Sequence, residues 1–172
     1  MKRFEKRSWS DQSAYTDLGA LDEKRLLTPR GRRGSVRHCT AMSQRDVEVV
    51  RDMWEAFVRG DVESALATFA EDVEWDGTNL PDGAISTGRE AVMDHVTRWA
   101  EMWETWNVEL EEVVDAGDGR VILFIREQGR TRTGLEANER HSELYTVRDD
   151  MITSRRGFSD ADQALDEVRK AS

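Results

Sequence analysis

The sequence has 172 residues, 38% of them hydrophobic, and a formal net charge of −10 at pH 7. This length suits one domain with a real core, and the acidic excess argues against a nucleic-acid partner, whose phosphates would repel it. The only cysteine is Cys39, so neither an internal disulfide nor a cysteine metal cluster can form, and a reducing cytoplasm is the expected location. No apolar run approaches the ~20 residues that span a bilayer, so no membrane partner is expected.

The first 41 residues differ in composition from the rest. They are basic, poor in aliphatic residues, and end in a stretch rich in Pro, Gly and Arg. Such a segment cannot bury enough apolar surface to order itself, so we expect a disordered tail over 1–41 and one domain over 42–172. Two alternatives stay open: a basic arm for an anionic partner, or translation that begins at Met42.

Two short helices and a strand are predicted between residues 43 and 75. Apolar residues recur there at steps of three and four, and Ser43 is placed to cap the first helix. Gly60 supplies a left-handed stop and Asp61 caps the second helix, so the two helices should form a tight corner. Val73 and Trp75 alternate with polar residues, which indicates a strand with one buried face.

Three runs of this sequence carry a family resemblance. AFVRGDVESALATFAEDVEW, TGREAV and LYTVRDDMITSRRGFSDADQAL resemble the SnoaL-like branch of the NTF2-like superfamily, whose relatives include ketosteroid isomerases and polyketide cyclases. The resemblance covers roughly residues 42 to 172 and implies an α+β cone. In such a cone a curved, mostly antiparallel sheet wraps over three helices on the N-terminal side, and a short helix ends the chain. It also implies a pocket inside the wide end of the cone. Our first hypothesis is that tryptophans line this pocket and that it holds a small apolar, cyclic molecule, and no cofactor is expected.

A loop and a third helix should follow the first strand. The segment from Gly77 to Gly88 is rich in Gly, Pro and small polar residues, which predicts a loop over the mouth of the pocket. Thr87 and Glu90 match the spacing of a capping box for the third helix. His95 lies one step off the apolar stripe of that helix and is expected to be a partly exposed surface residue.

The stripe of the third helix is unusually bulky. Its members follow at steps of four and three: Val92, Val96, Trp99, Trp103 and Trp106. One interpretation is a core stripe, since helically spaced aromatic residues usually pack. In the other, Trp99 and Trp103 form the flat wall of a ligand pocket.

The run VILFI, residues 121–125, predicts a strand buried on both faces. The resemblance implies that Val121, Leu123 and Ile125 face the pocket, which leaves Ile122 and Phe124 on the outer face. An apolar outer face needs a cover, so we expect a second copy of the chain there and hence a homodimer.

The candidate catalytic residues are His141, Glu143 and Tyr145, which alternate along one predicted strand and so share a face, ~7 Å apart. A carboxylate inside an apolar cone should have a raised pKa, and a histidine beside it could relay a proton at neutral pH. Tyr145 would donate a hydrogen bond. An isomerase, cyclase or dehydratase needs such groups. The predicted pocket lining is Trp54, Trp75, Trp99, Trp103, Leu123 and Ile125.

The sequence departs from its enzyme relatives at their catalytic positions. The resemblance places Met53 near the oxyanion tyrosine of ketosteroid isomerases and Gly77 near their general base. The late aspartate of polyketide cyclases has no counterpart in the region of Ser154. Steroid isomerisation and that cyclase mechanism are therefore not expected in their known forms.

A non-catalytic interpretation stays beside the catalytic one. Glu143 could pair with an arginine on a neighbouring strand, and His141 could be exposed near the rim. The protein would then be a binding or dimerisation module whose pocket is filled by its own tryptophans. No nucleotide or zinc signature occurs, and histidines at 38, 95 and 141 do not have the spacing of a metal site. The candidate arginines are Arg126, Arg140, Arg155 and Arg156.

Overall fold

The computed structural model describes residues 41–80, 83, 85–160 and 162–170. The predicted tail over 1–41 and the alternative start at Met42 concern residues that lie almost entirely outside this part of the chain. The elements of the described part are α1 (Ala41–Val58), α2 (Val62–Ala67), β1 (Phe69–Asn79), β2 (Ile85–Thr87), α3 (Arg89–Met102), β3 (Trp103–Gly117), β4 (Arg120–Thr131), β5 (Glu136–Arg148), β6 (Met151–Phe158) and α4 (Gln163–Lys170).

The tight corner between α1 and α2 is confirmed. Gly60 has φ +75°, the left-handed conformation that glycine adopts at little cost. The Asp61 carboxylate accepts a hydrogen bond from the backbone N–H of Ser64 at 3.1 Å, as an N-cap does. The start of α1 was wrong by three residues, because an N-cap at Ser43 places the first helical residue at position 44, whereas the helix begins at Ala41.

The six strands form one sheet in the order β2-β1-β6-β5-β4-β3. β1 and β6 pair in parallel and all other neighbours are antiparallel. Register shifts interrupt the pairing of β3 with β4, and such bulges bend and twist a long strand. The α+β architecture, with helices against a curved sheet, is the predicted NTF2-like cone. None of the described helices combines the length and apolar character that crossing a bilayer requires.

The main core lies between the inner face of the sheet and α1. Val50, Val73 and Leu123 are fully buried in it, and Ile125 is 2% exposed. Leu123 and Ile125 therefore face the inside of the cone, as predicted, and are packed in its core.

A second core covers the outer face of the sheet. Ile122 and Phe124 are buried there against Phe158 and the buried Ala164 of α4. The cover is thus this chain's own last helix. The premise that Ile122 and Phe124 need a second copy was wrong, because the apolar face of α4 already shields them.

The predicted loop between β1 and α3 contains more structure than the sequence indicated. β1 continues to Asn79, and β2 pairs with it in antiparallel fashion, with Asp76 opposite Ile85. The N-cap of α3 is Gly88, which has no side chain to cap with. The capping box at Thr87 was therefore wrong, since that residue belongs to β2.

α3 ends at Met102, so Trp103 and Trp106 lie on β3 and not on a helical stripe. The ring of Trp103 lies against Gly129 of β4, where a Cβ atom would collide with it. The prediction was wrong because Trp103 lies four residues after Trp99, which fits a helical stripe, although Trp103 is the first residue of the following strand.

Candidate functional site

His141, Glu143 and Tyr145 do share the inner face of β5. Glu143 is 7% and Tyr145 2% exposed. The Tyr145 hydroxyl donates a hydrogen bond of 2.5 Å to Oε2 of Glu143. Nε2 of His141 lies 3.7 Å from Oε1 of the same carboxylate, and the His141 side chain is 13% exposed. The alternation read from the sequence thus brings the three side chains together, and His141 is not an exposed rim residue.

β6 adds a buried arginine to this group. The register places Arg155 opposite Tyr145, and its Nη2 donates to Oε1 of Glu143. Arg155 is 4% exposed, so both charges of the pair are inside the protein. We call Glu143, Arg155, Tyr145 and His141 the ion-pair cluster.

The structure selects Arg155 among the four arginines that could have paired with Glu143. Arg126 and Arg140 both bind the carboxylate of Glu111, at 2.9 Å and 2.5 Å. Arg156 binds Asp76 and a carboxylate of α4. The salt-bridge alternative is therefore realised, but at a buried position.

The ion pair reverses the expected electrostatics of Glu143. Burial alone opposes ionisation, but the charge of Arg155 and the neighbouring His141 outweigh it and hold the pKa of Glu143 well below its usual range. The predicted raised pKa of Glu143 was wrong for this reason. Burial and the Glu143 charge raise the pKa of Tyr145 well above its ordinary value, so its hydroxyl stays a donor.

His141 is the group of the cluster that can change charge near neutral pH. Burial lowers its pKa, but the contact with Glu143 and the charge of Glu127 outweigh burial and raise the pKa above its ordinary value. Histidine is the side chain whose ordinary pKa lies nearest to physiological pH, and the shift favours the protonated form of His141.

Trp75 of β1 covers the other side of the arginine. The Arg155 guanidinium carbon lies 4.3 Å from the centre of the Trp75 ring, a cation–π contact. His95 of α3 lies 5.9 Å from the same ring and is 8% exposed. His95 was expected at the surface; it is buried because the face of α3 that carries it packs on Trp75.

A second carboxylate, Glu127 of β4, lies close enough to His141 and Glu143 to feel their charges. Its Oε1 accepts a hydrogen bond from the indole N–H of Trp99 at 3.1 Å and another from that of Trp106. Burial raises the pKa of Glu127, and the N–H donors and His141 only partly oppose this. We call Glu127, Trp99 and Trp106 the indole cluster. The sequence reading did not single out Glu127, although it continues the alternation of Leu123 and Ile125 along β4.

Three of the predicted pocket tryptophans, Trp54, Trp99 and Trp103, form an aromatic wall with the indole cluster. The Trp99 and Trp103 rings meet edge to face, 5.8 Å apart. The ring centre of Trp54 lies 6.1 Å from that of Phe57, and the ring centre of Phe57 lies 5.9 Å from that of Trp106. Trp75 lies 6.2 Å from Phe69 on the other side. Within the described residues, the buried indole N–H groups of Trp75 and Trp103 have no hydrogen-bond partner.

Two grooves lie outside the ion-pair cluster and the indole cluster. One, of about 620 Å³, is lined around Gly88 between β1 and α3, and the other, of about 420 Å³, around Gly129 at the far end of β4 and β5. Neither is lined by a residue of the ion-pair cluster or the indole cluster. In the part of the chain that the structure describes, no three His, Cys, Asp or Glu side chains are grouped to hold a metal ion.

Known proteins share this fold. The SnoaL-like domain family matches residues 50–155. An NTF2-like protein from Burkholderia xenovorans is 27% identical, with 73% of this chain and 95% of that one covered, and a TM-score of 0.58. A Mycobacterium tuberculosis protein in complex with estradiol-17β-hemisuccinate is 22% identical, covering 69% and 95%, with a TM-score of 0.56. TerC, co-crystallised with polyporic acid, is 17% identical, covering 73% and 98%, with a TM-score of 0.60. No curated protein matches the sequence.

Proposed function

The chain belongs to the SnoaL-like domain family, and we propose that it binds a small apolar ring compound at the wide end of its cone and performs acid–base chemistry on it. The reaction class is that of an isomerase, cyclase or dehydratase. The observation that carries the proposal is the ion-pair cluster, because a buried, fully charged Glu143–Arg155 pair is a poor way to stabilise a fold and a common feature of functional sites.

The proposal assigns a separate role to each of the three candidate residues on β5. Glu143 is held ionised by Arg155 and so supplies a fixed negative charge. That charge favours the protonated form of His141, which is proposed to carry a proton and whose side chain is 13% exposed. The Tyr145 hydroxyl donates a hydrogen bond to the second oxygen of the Glu143 carboxylate and so fixes the orientation of that carboxylate. His141, Glu143 and Tyr145 remain the proposed catalytic residues, with His141 as the proton carrier.

The proposed ligand class follows from the aromatic wall. Flat apolar rings pack well against tryptophan faces and edges. Two proteins of this fold were crystallised with ring compounds, estradiol-17β-hemisuccinate and polyporic acid, which supports a ring ligand in this chain too. Trp54, Trp75, Trp99 and Trp103 are the side chains proposed to contact it.

A non-catalytic binding or dimerisation module is the second candidate. It is favoured by the contacts of Trp99, whose ring packs on Trp103 and whose N–H is taken by Glu127. In that case the tryptophans fill the cone, and the protein acts through its surface.

We also propose a homodimer in the cytoplasm. With α4 over one part of the outer face, the remaining surface is the polar part of β3, β4 and β5 around the Glu111–Arg126 ion pair. Multi-angle light scattering at micromolar concentration tests the dimer, and a monomeric mass would contradict it. The lone Cys39 suits a reducing compartment, which fractionation of the native host tests.

Native mass spectrometry and calorimetry test ligand binding. The full-length protein should retain an added mass of a few hundred daltons or bind the probe estradiol-17β-hemisuccinate by isothermal titration. Trp99→Leu should weaken binding of the probe by about tenfold or more. The control Leu135→Ala changes an exposed side chain at a hairpin and should leave binding unchanged. A bare mass together with no heat of binding would favour the non-catalytic module.

A further inference from the structure

The two halves of α3 are held in different ways. The first half carries the buried residues of the helix, Val92 and His95, which are 1% and 8% exposed. None of residues 97–102, which we call the α3 end, is buried, and Met102 is 46% exposed. Little apolar burial therefore holds the α3 end in place, and segments with few buried side chains open most readily.

Hydrogen bonds from the hairpin between β4 and β5 hold the α3 end instead. The backbone N–H of Arg132 donates to the carbonyl oxygen of Met102 at 2.9 Å, and Nε of the same arginine donates to that of Glu101 at 2.8 Å. The last turn of a helix leaves its carbonyl groups without partners, and its dipole favours a cation there. Arg132 thus caps the end of α3 from another part of the chain.

The α3 end also contacts the candidate site. The indole N–H of Trp99 donates to Oε1 of Glu127 at 3.1 Å. In the register of β4 with β5, Ile125 lies opposite His141, so Glu127 and His141 are diagonal neighbours on the inner face of the sheet. A chain of neighbouring side chains therefore leads from the α3 end to His141.

The hairpin that carries Arg132 is closed by its own hydrogen bonds. The N–H of Thr131 donates to the carbonyl oxygen of Leu135 at 2.8 Å, and the N–H of Leu135 donates to the Thr131 hydroxyl at 3.1 Å. The N–H of Gly134 donates to the carbonyl oxygen of Thr131 at 2.9 Å. The hairpin is thus a fixed anchor, and the α3 end is the part that can leave it.

We propose that the α3 end is a cover that opens to admit the ligand to the ion-pair cluster, and that Arg132 holds it closed. This inference rests on the proposed function and deepens it by naming the entry path. Neither of the two grooves described above is lined by a residue of the ion-pair cluster, so neither gives the ligand a way to His141. Opening breaks the hydrogen bonds of Arg132 and Trp99 and leaves the packed first half of the helix in place.

Chemical modification of His141 tests the cover without a ligand. Diethyl pyrocarbonate reacts with accessible imidazole groups, and peptide mapping by mass spectrometry measures His141 and His95 separately in the full-length protein. Arg132→Ala should speed modification of His141 about tenfold, the factor that corresponds to loss of one hydrogen bond from a charged donor. Arg132→Lys, which keeps a cation, should give an intermediate rate. His95 should react equally in all variants, because the first half of α3 stays packed.

The matched control is Arg130→Ala. It removes an exposed arginine at the same end of β4, but the partner of that arginine is Glu104 of β3. Arg130→Ala should leave the rate at His141 unchanged. Equal rates at His141 in the wild type and Arg132→Ala would overturn the inference. So would a rise of the same size at His95 and His141, because it would indicate general unfolding.

Amide hydrogen exchange measured by NMR locates the opening along α3. The backbone N–H groups of residues 97–103 should exchange faster than those of residues 92–96 in the wild type. Arg132→Ala should raise only the rates of residues 97–103, again by about tenfold. One common rate along the helix, raised or not, would show that α3 opens as a whole and would contradict the cover.

These outcomes separate the inference from the proposed function. A protein that binds no estradiol-17β-hemisuccinate, but whose His141 responds to Arg132→Ala, would keep the cover and lose the proposed function. A protein that binds this probe, but whose His141 and amide rates do not respond, would keep the proposed function and lose the cover.

Stopped-flow binding of the same probe tests the entry path itself. Arg132→Ala should accelerate association and dissociation by the same factor, because a cover controls both rates, and the dissociation constant should change little. An association rate equal to that of the wild type would show that the ligand enters elsewhere and would overturn the role of the α3 end.

Discussion

Glu127 and Glu143 lie on neighbouring strands and face the inside of the same cone, yet their pKa values are shifted in opposite directions. The pKa of Glu143 is lowered because Arg155 and His141 outweigh its burial, whereas burial raises the pKa of Glu127 and its neutral indole donors and His141 only partly oppose this. Burial is common to both residues. The difference shows that a buried cationic partner decides in which direction burial leaves the pKa of a carboxyl group.

The largest expected difference between the two glutamates is in the free energy of unfolding after each carboxylate is removed. Glu143→Gln leaves Arg155 buried without its counter-charge and should lower the free energy of unfolding by about 3–5 kcal/mol in urea titrations at pH 7. Glu127→Gln keeps an acceptor for both indoles and should change it by less than about 1 kcal/mol. The double variant Glu143→Leu with Arg155→Met should recover most of the loss. Equal losses for the two single variants would contradict the distinction.

A smaller effect is expected when one indole donor is removed. Trp106→Phe deletes a hydrogen bond to a carboxylate and should cost about 1–2 kcal/mol in the same measurement. The matched control is Trp103→Phe, since the Trp103 N–H has no hydrogen-bond partner within the described residues. A similar loss in both variants would mean that ring packing, not the bond to Glu127, stabilises the wall.

The pH dependence of Glu127 sharpens the same contrast. A carboxyl whose folded pKa is raised contributes stability that is present below its unfolded pKa of about 4.3 and is lost as pH rises through the folded value. Urea titrations from pH 4 to 7 should therefore show Glu127→Gln gaining stability relative to the wild type as pH rises. A difference that stays flat or runs the other way would indicate that Glu127 is not buried as described.

The smallest effect concerns His141. Its raised pKa means that the fold favours the charged form of the side chain, whereas the raised pKa of Glu127 means that the fold favours the neutral form. A histidine that gains an anionic partner contributes stability below its unfolded pKa of about 6.5, and this is lost as pH rises through the folded value. His141→Gln should thus be more destabilising at pH 6 than at pH 9. Loss of equal size at both pH values would show that His141 acts only through packing.

Local patterns predicted much of the fold. Gly60 and Asp61 defined the α1–α2 corner because a left-handed glycine and an N-cap act within a few residues. β2 was not predicted, because a strand of three residues among glycines and a proline has no period of its own. The end of α3 was misplaced because Trp103 fits a helical stripe and a strand equally well.

The candidate site was predictable on one strand but not across strands. Alternation along β5 placed His141 and Glu143 on one face, which the structure confirms. The choice of Arg155 among four arginines depends on the register of β5 with β6, which no local pattern encodes. That choice then reversed the expected pKa of Glu143. Glu127 could have been found by extending the alternation of VILFI by one further residue on the inner face.

The parallel pairing of β1 with β6 has a consequence for how quickly the chain folds. β3 to β6 are joined by successive antiparallel pairings, whereas the Asp76–Arg156 contact of β1 with β6 closes a separation of 80 positions. Contacts of high sequence separation form slowly, because a long loop must be closed before they stabilise anything. Docking of β1 is therefore expected to be the last large step. Trp75 reaches Arg155 only through that docking, so the difference in stopped-flow refolding fluorescence between the wild type and Trp75→Phe reports it among the six tryptophans.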